Sequence, residues 1–355
     1  MSRATVVHID LPAISDNIAA LRSRLTDQKF MAVVKADAYG HGAVRVAQHI
    51  ESDVDAIAVA FTEEAVLLRE AGISKPLLVL EGPHSASDLA LVGKLDLWPV
   101  VHCEEQVSWC QSAGAGLSHV WIKIDTGMHR LGFPPEELAS VRESLQASGV
   151  QHLTVMSHLA SAEHPEASLT LSQQTKWAEH AGAWEGQVSL HNSAATRLAL
   201  ASQSDWVRVG YALYGGQVSG LETEQPLKAA MQLTSEVIAL RNVPRGESVG
   251  YGGRWTAQRD SVIATIPVGY GDGYPWGATD GTPVCVNGRI APLAGRVSMD
   301  MLTVDVTDCA DTSLGSPVTL WGNEPRIDEV ARHSGTIGYE LMTRLTLRAP
   351  RHYHS

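Results

Sequence analysis

The sequence has few cysteines and no Cys-x-x-C pair. The four are Cys103, Cys110, Cys285 and Cys309, and their spacing matches no metal or redox motif, so we expect packing thiols and no metal site. No apolar run approaches the roughly 20 residues that span a bilayer. Residues 1–8 also lack the apolar core and cleavage site of a secretory signal. These absences predict a cytoplasmic protein with no membrane partner.

The chain also lacks a basic cluster. Its 355 residues contain 27 Lys and Arg against 39 Asp and Glu, which gives a net charge of −12. Because neutralising phosphates requires a basic patch, we expect no nucleic-acid partner and predict a small-molecule ligand. Hydrophobic residues make up 44% and charged residues 19%, as in an ordinary globular enzyme of one large domain and a smaller one.

Short apolar runs alternate with amphipathic stretches through residues 10–225. Such alternation favours parallel strands with helical crossovers, and eight units in a row predict an α/β fold of the closed (β/α)8, or TIM-like, barrel type. We assign residues 1–225 to this barrel, with residues 1–9 free to pair with the following domain. The eight predicted strands are 30–35, 56–60, 76–81, 97–102, 119–125, 152–158, 187–191 and 206–209.

The pattern changes after Pro226. Alternating runs separated by Gly, Pro, Asn and Asp turns predict a mostly-β C-terminal domain over residues 226–355. Two short helices are expected near 327–333 and 339–345. The predicted strands are 233–240, 261–268, 282–286, 302–306 and 317–321.

Polar residues lie at or just after five of the predicted barrel strands. In this fold the site is built at the carboxyl ends of the strands, so these side chains predict one site. Lys35 ends the first predicted strand, where desolvation lowers the pKa of an amine and suits it to form a Schiff base. Taken singly, each has an ordinary alternative, such as a lysine that reaches solvent or an arginine in an ion pair. The five are Lys35, Arg130, His158, Ser193 and Arg208.

One segment resembles the cofactor signature of the alanine racemases. It reads Val33-Val34-Lys35-Ala36-Asp37-Ala38-Tyr39-Gly40-His41-Gly42. The resemblance extends over nearly the whole chain, and the order of the blocks makes it specific. Further matching blocks are 123–132, 191–195, 208–215, 249–252, 269–274, 296–300 and 337–340. The family often has Cys-Met-Asp where this chain has Ser298-Met299-Asp300, a change that we expect to leave the reaction class intact.

The resemblance implies pyridoxal 5'-phosphate as cofactor and two catalytic bases. Lys35 would hold the cofactor and act on the D-side of alanine, while Tyr251 would act on the L-side. Arg208 would face the ring nitrogen, and because guanidinium does not accept a proton, this choice limits side reactions. The remaining cofactor contacts implied are Tyr39, His158, Ser193, Gly210, Tyr211 and Tyr339.

The resemblance also implies how the substrate binds. Arg130 and the backbone N–H of Met299 would bind its carboxylate, and Lys123 matches a lysine that is carbamylated in some members. Tyr270, Tyr274 and Tyr339 suggest a narrow entrance that favours a methyl side chain. Such enzymes resemble one another in forming head-to-tail homodimers with shared active sites.

Three alternatives remain open at this point. The first is a fold type III racemase or decarboxylase acting on lysine, ornithine or arginine. The second is a non-catalytic pyridoxal-phosphate carrier, which resembles the barrel alone and would not need residues 226–355. A Schiff-base aldolase barrel is weaker, since it has no need of Arg208. For an alanine racemase, both the cell-wall role of supplying D-alanine and the catabolic role are possible.

Overall fold

Residues 3–112, 116–217 and 227–355 are described by a computed structural model. They divide into two units. The barrel unit comprises residues 15–213 with residue 217, and the β unit comprises residues 3–14, 214–216 and 227–355. The predicted boundary between residues 225 and 226 lies outside the described residues. In the described part of the chain, no helix is long and apolar enough to cross a membrane.

The barrel unit is built on eight parallel strands. Their order along the sheet is β8-β7-β6-β5-β4-β3-β2-β9. The N–H of Asp205 donates to the Val188 carbonyl (2.8 Å) and that of Arg208 to the His191 carbonyl (2.9 Å), so the last strand also meets β8. After β1 (Val6–Asp10), which belongs to the β unit, the strands are β2 (Lys29–Val33), β3 (Ala56–Val59), β4 (Leu77–Val79), β5 (Leu97–Val101), β6 (His119–Lys123), β7 (His152–Met156), β8 (Gln187–Ser189) and β9 (Trp206–Val209).

Helices follow the strands as the alternating pattern predicts. The first begins after Asp10, whose carboxylate accepts the Ala13 N–H at 2.9 Å and so caps the helix. The helices are α1 (Leu11–Arg22), α2 (Lys35–Gly40), α3 (Ala43–Ile50), α4 (Thr62–Glu70), α5 (Ala86–Lys94), α6 (Glu104–Ser112), α7 (Leu138–Ala147), α8 (Ser168–Ala181) and α9 (Ser193–Arg197). The predicted (β/α)8 barrel is confirmed.

Several predicted strands run too far at their carboxyl ends. Lys35 lies two residues beyond β2 and His158 two residues beyond β7, whereas Arg208 lies inside β9. The apolar pattern continues into the loops because loop residues at the barrel mouth are also buried. The prediction that Lys35 and His158 end their strands is therefore wrong, although both remain at the carboxyl side.

The β unit contains a six-stranded sheet in the order β16-β15-β18-β10-β1-β19 and a three-stranded sheet in the order β11-β14-β17. β1 pairs antiparallel with β10 and parallel with β19, so the N-terminal strand joins the C-terminal region. The strands are β10 (Met231–Glu236), β11 (Ala239–Val243), β12 (Ser248–Val249), β13 (Trp255–Thr256), β14 (Ser261–Ile266), β15 (Pro283–Val286), β16 (Arg289–Pro292), β17 (Leu302–Asp305), β18 (Pro317–Trp321) and β19 (Arg351–His354).

The mostly-β character of this unit is confirmed, but one predicted strand is wrong. The run 233–240 is divided between β10 and β11, which belong to different sheets. The apolar run reaches Leu240, but the residues of β11 are half-buried or exposed, so apolar alternation alone does not locate the break. The two predicted helices correspond to α10 (Ile327–His333) and α11 (Gly338–Thr343).

Candidate active site

The interior of the barrel is filled by side chains from alternate strand positions. Trp121 on β6 and Trp206 on β9 have ring centroids 5.8 Å apart, although these strands are not neighbours in the sheet. The two rings therefore meet inside the barrel. Two residues further on, Lys123 and Arg208 occupy the same faces of their strands. Both are buried, which places two cations in the barrel interior toward the carboxyl ends.

The turn after β2 is left-handed. Ala36, Asp37, Ala38 and Tyr39 all have φ of 52–54°. For residues with a Cβ, this conformation costs about 1–2 kcal/mol each. No propensity rule predicts it from the sequence, and strain of this kind is concentrated at functional sites. The turn directs Tyr39 back toward the barrel while Lys35 remains at its mouth.

Two carboxylates hold this turn in place. Glu64 accepts the Ala36 N–H at 2.7 Å with one oxygen and the Ala60 N–H at 2.7 Å with the other. Asp37 accepts the Ala43 N–H at 2.7 Å, which connects the end of the turn to α3. Because charge-assisted hydrogen bonds are stronger than neutral ones, they offset part of the strain.

Lys35 is half-buried at the start of the turn. Burial lowers the pKa of its amine; Glu81 and Glu64 raise it, and the nearby Arg130 lowers it further. A larger fraction of the amine is therefore uncharged near neutral pH. This is the state in which a lysine acts as a nucleophile or base.

Arg208 is a buried cation without a carboxylate partner in the described ranges. Its guanidinium donates to the Ser189 hydroxyl and to the Ser157 carbonyl (2.7 Å), and lies 3.3 Å from Nδ1 of His158. Burial lowers its pKa to about 10. The ion-pair alternative is thus not found. A buried charge left without a counter-charge costs folding energy, so its retention points to a ligand.

Lys123 adds a second cation to the same interior. Burial lowers its pKa to about 8, helped by the positive charges of Arg208 and Arg130, while Glu81 acts in the opposite direction. Burial and the same cations hold the pKa of His158 well below its ordinary value, so its ring is neutral. The cluster of Lys35, Lys123, Arg130 and Arg208 carries more positive than negative charge and favours an anionic ligand.

Arg130 is presented by a loop wound around Asp125. One carboxylate oxygen accepts the N–H groups of Gly127 (2.9 Å), Met128 (3.0 Å) and His129 (3.1 Å). Burial alone would raise the pKa of Asp125, but these donors and the His129 ring bring it below its usual range. The arginine itself is exposed at the end of this loop. A hydrogen-bonded loop therefore presents an exposed, forked cation at the barrel mouth.

Tyr39, Ser193, Gly210 and Tyr211 lie together where β9 ends, and we call this group the cradle. The Ser193 hydroxyl accepts the N–H of Gly210 (3.1 Å) and of Ala212 (3.3 Å). A Cβ on Gly210 would fall inside van der Waals contact with the Tyr39 hydroxyl oxygen. Only glycine therefore lets this tyrosine approach the backbone so closely, and Tyr211 follows it in a buried position.

Ser193 is not the cap of α9. The helix is capped by Asn192, whose side-chain oxygen accepts the Ala195 N–H at 3.1 Å. Ser193 is therefore the first residue of the helix, because its neighbour takes the cap position. Its hydroxyl instead joins the β9 end of the barrel to α9.

In the β unit, Tyr251 is displayed by a hairpin. β12 and β13 pair antiparallel, and the tyrosine lies in the connecting turn with 72% of its surface exposed. Gly250 and Gly252 have φ of 77° and 71°, which glycine adopts without strain. The chain thus presents a tyrosine that its own structure leaves uncovered.

The loops that carry Tyr270 and Met299 are connected by hydrogen bonds and salt bridges. The Tyr270 N–H donates to the Ser298 carbonyl (3.0 Å). The fully buried Asp272 accepts from Arg3 at 2.8 Å. Arg348 lies 3.5 Å from Asp272 and pairs with Asp300 at 2.7 Å, so it connects the two loops. Tyr270 and Met299 remain 37% and 53% exposed.

Tyr274 does not lie at a surface. It is fully buried, its ring is stacked on Trp321 with centroids 5.8 Å apart, and its hydroxyl has no hydrogen-bond partner in the described residues. Burial raises the pKa of this phenol. An entrance residue must reach solvent, so the expectation that Tyr274 lines the entrance is not met. Tyr339, at 37% exposure, does reach the surface.

Several residues that position this site are not evident from the sequence. Glu64 is the third residue of α4 and accepts the Phe61 N–H at 3.3 Å, but Phe61 has no side-chain acceptor, so the sequence shows no capping box. Ser189 lies inside β8 and donates to the Trp206 carbonyl at 2.9 Å while it accepts from Arg208. No sequence signal distinguishes that serine from any other in a strand.

Two family models match most of the chain. The family model described as alanine racemase, N-terminal domain, matches residues 9–218, and that described as alanine racemase, C-terminal domain, matches residues 230–353. The chain belongs to the alanine racemase family.

Similar proteins cover the whole chain. An alanine racemase of Pseudoalteromonas atlantica is 46% identical over 373 residues, covering 99% of both chains. One from Vibrio atlanticus is 44% identical, again with 99% of each chain covered. The crystal structure of the biosynthetic alanine racemase from Pseudomonas aeruginosa has a TM-score of 0.95 at 44% identity, covering 99% of this chain and 100% of that one.

Proposed function

We propose that this chain is a pyridoxal-phosphate-dependent enzyme that interconverts L-alanine and D-alanine. Family membership and one observation carry the proposal. That observation is a buried arginine, Arg208, with no carboxylate partner in the described part of the chain, beside a lysine of lowered pKa, Lys35. A barrel that retains such charges is suited to a doubly anionic ligand.

The residues at the barrel mouth fit this cofactor. The cradle of Tyr39, Ser193, Gly210 and Tyr211 offers oriented donors for a phosphate, and Gly210 leaves the space that a side chain would fill. Lys35 would bind the aldehyde, because its pKa is lowered. When bound, the cofactor would supply the electron sink that lets an α-proton leave near neutral pH.

Arg208 and His158 would orient the cofactor ring. The guanidinium is held by Ser189 and Ser157, so it would face the ring nitrogen as a fixed donor that does not take up a proton. The neutral His158 imidazole would pack on the ring face, and its lowered pKa keeps a further positive charge away from that face. Tyr339 would add a hydroxyl donor from the β unit.

Two groups would exchange the α-proton from opposite sides. Lys35 would serve the D-side and Tyr251 the L-side, since a single base tends to return the proton to its original face. Tyr251 is 72% exposed on its hairpin. We propose that it serves the barrel of a partner in a head-to-tail homodimer, so that each active site contains residues of both chains.

Arg130 and Met299 would bind the substrate carboxylate. Arg130 supplies a forked cation suited to a carboxylate. The N–H of Met299 has no partner in the described ranges. Lys123, whose pKa is lowered to about 8, has enough free amine to react with carbon dioxide, and the carbamate would balance the neighbouring arginines. Tyr270 and Tyr339 would narrow the entrance.

The charge of the barrel mouth also favours alanine over longer basic substrates. Lysine, ornithine or arginine would bring a cation toward Lys35, Lys123 and Arg130, where it would be repelled. Glu64, a carboxylate close by, already binds backbone N–H groups. A non-catalytic carrier built on a lone barrel would not need the second matched domain.

The name of one similar protein supports a proposal about the physiological role. The Pseudomonas aeruginosa structure is described as biosynthetic, which favours supply of D-alanine for peptidoglycan synthesis over the catabolic role. The cytoplasmic location predicted from the sequence stays a prediction.

Mixing two inactive variants tests the shared site. Lys35→Ala and Tyr251→Phe are each expected to lose racemisation, measured by optical rotation and by α-proton exchange in D₂O. After co-refolding, half of the dimers are mixed, and one of their two sites has both bases intact. Activity should return to about a quarter of that of the unaltered protein. No recovery would show that both bases lie in one chain, and rapid exchange on lysine or arginine without exchange on alanine would overturn the substrate.

A further inference from the structure

The amino ends of the barrel strands surround a second cavity. Its volume is about 500 Å³, and Lys29, His119, His152 and Gln187, the first residues of β2, β6, β7 and β8, line it. The candidate active site is built at the other ends of these strands. Cavities of this size hold small ligands, whereas this end of a barrel ordinarily serves stability alone.

Aromatic surface and positive charge meet in this cavity. Trp98, Trp184 and Trp206 line it. The Lys29 ammonium lies 5.0 Å from the ring centroid of Trp206, and the Arg142 guanidinium 5.1 Å from that of Trp184. Indole faces attract cations and also pack against flat rings.

The charge of this cavity is unbalanced. Its carboxylate is Glu185, which is 87% exposed and lies 3.9 Å from Arg142. An ion pair with so exposed a carboxylate and so long a distance neutralises little of the positive charge of Arg142. Lys29 has no carboxylate partner in the described ranges. An anion is therefore the ligand that this end of the barrel attracts.

The indole N–H groups of Trp184 and Trp206 are not open to a ligand in this cavity. Nε1 of Trp184 is buried and has no hydrogen-bond partner among the residues that the structure describes. Trp206 donates its Nε1–H to Gln187 at 2.8 Å. A ligand would therefore contact these two indoles through their ring faces.

We propose that the amino end of the barrel binds a small planar aromatic anion. Its ring packs on the indole surfaces of Trp98, Trp184 and Trp206, and its acidic group is directed toward Lys29 and Arg142. A carboxylate and a phosphate monoester share this chemistry. The site is separate from the alanine site, so it does not depend on the proposed racemase activity.

Calorimetric titration of the cofactor-loaded protein tests the proposal. The probes are indole-3-carboxylate and adenosine 5'-monophosphate, with neutral indole and acetate as partial probes. An equilibrated mixture of L- and D-alanine is present at saturation, so that the alanine site is occupied and no reaction heat arises. One of the two anions should bind one site per chain, at least about tenfold more tightly than either partial probe. The tighter of the two identifies the acidic group.

Charge removal then locates the site. Lys29→Gln and Arg142→Gln should each weaken binding of the anion about tenfold. Lys176→Gln, on the exposed face of α8 and away from the cavity, should leave it unchanged. Absence of saturable heat with both anions would overturn the proposal. Equal affinity for neutral indole, or binding that both charge variants leave unaltered, would overturn it too.

Discussion

The two ends of the barrel treat buried positive charge in opposite ways. At the carboxyl end, Lys123 and Arg208 are buried and remain cations for most of the neutral range. At the amino end, burial lowers the pKa of His119 to about 4, so this ring is neutral, and the cation Lys29 lies over an indole face near solvent.

This difference shows where the protein accepts a loss of folding stability in return for ligand binding. Buried cations without counter-charges destabilise the protein that carries them unless a ligand supplies the missing negative charge. The buried cations at the carboxyl end therefore lower the stability of the protein but favour binding of an anion. At the amino end, Trp98, Trp121 and Trp206 pack against one another. A substitution that removes a buried cation at the carboxyl end should consequently raise the free energy of unfolding, a gain that we do not expect from substitutions at the amino end at neutral pH.

The largest effect is expected for Lys35→Ala. Loss of the amine removes both the cofactor linkage and one proton-transfer group, so racemisation should fall by at least about 10⁴-fold. The measurement is racemase activity together with the absorbance of bound cofactor and borohydride labelling at position 35.

A surface lysine provides the control for this substitution. Lys176→Ala removes an exposed amine from α8 and should leave activity within about twofold. Retention of labelling in Lys35→Ala would mean that another lysine holds the cofactor.

The second effect is a gain in stability for Lys123→Met. The variant keeps an unbranched side chain that is one atom shorter, and it removes an amine whose pKa is lowered to about 8 by burial and neighbouring cations. In cofactor-free protein and carbon-dioxide-free buffer at pH 7, the free energy of unfolding should rise by about 3 kcal/mol, measured by denaturant titration.

The pH dependence of that gain is fixed in sign. Between pH 8 and 10.5 the unfolded lysine binds more protons than the folded one, so the unaltered protein becomes more stable as the pH rises. The advantage of Lys123→Met should therefore shrink through this window. An advantage that is constant from pH 7 to pH 10 would indicate better packing of methionine instead of relief of charge.

The third effect concerns the cradle at Gly210. In Gly210→Ala the new methyl group would displace the Tyr39 hydroxyl and cost about 1–3 kcal/mol, so the cofactor should bind about 10- to 100-fold more weakly. The readout is the cofactor dissociation constant by absorbance titration. Gly93→Ala, in α5, is the matched control. A Cβ there would lie 3.5 Å from its nearest neighbour, the Gly116 carbonyl oxygen, so cofactor binding should be unchanged.

The strands and the site differ in how well the sequence predicts them. All eight barrel strands are found from apolar runs, because both faces of a parallel sheet are buried and its strands read as continuous apolar segments. The sequence predicts the ends of the strands less well. It places Lys35 and His158 in strands because the apolar pattern continues into the loops that follow β2 and β7. The run 233–240 reads as one strand in the sequence because its apolar residues continue into β11, although no residue of β11 is buried.

The local geometry of the site is beyond such patterns. The left-handed turn at Ala36 to Tyr39 violates residue preferences and exists because Glu64 and Asp37 hold it from outside. The cavity at the amino end depends on residues from six strands and on Arg142 and Trp184, which no sequence motif connects. Tertiary contacts, not local preference, determine both.

The smallest effect, and the one that sharpens the contrast between the two ends, is expected for His119→Gln. Burial, with the added positive charge of His152 and Lys29, lowers the pKa of His119 to about 4 from 6.5, so acid forces an unfavourable proton onto it. As the pH falls from 6.5 to 4, the unaltered protein should lose about 1–2 kcal/mol relative to the variant, since the ring is partly exposed and screened. Denaturant titrations at pH 7 and pH 4.5 measure the difference. If both proteins lose the same stability, His119 is not buried as a neutral ring, and the amino end carries buried charge just as the carboxyl end does.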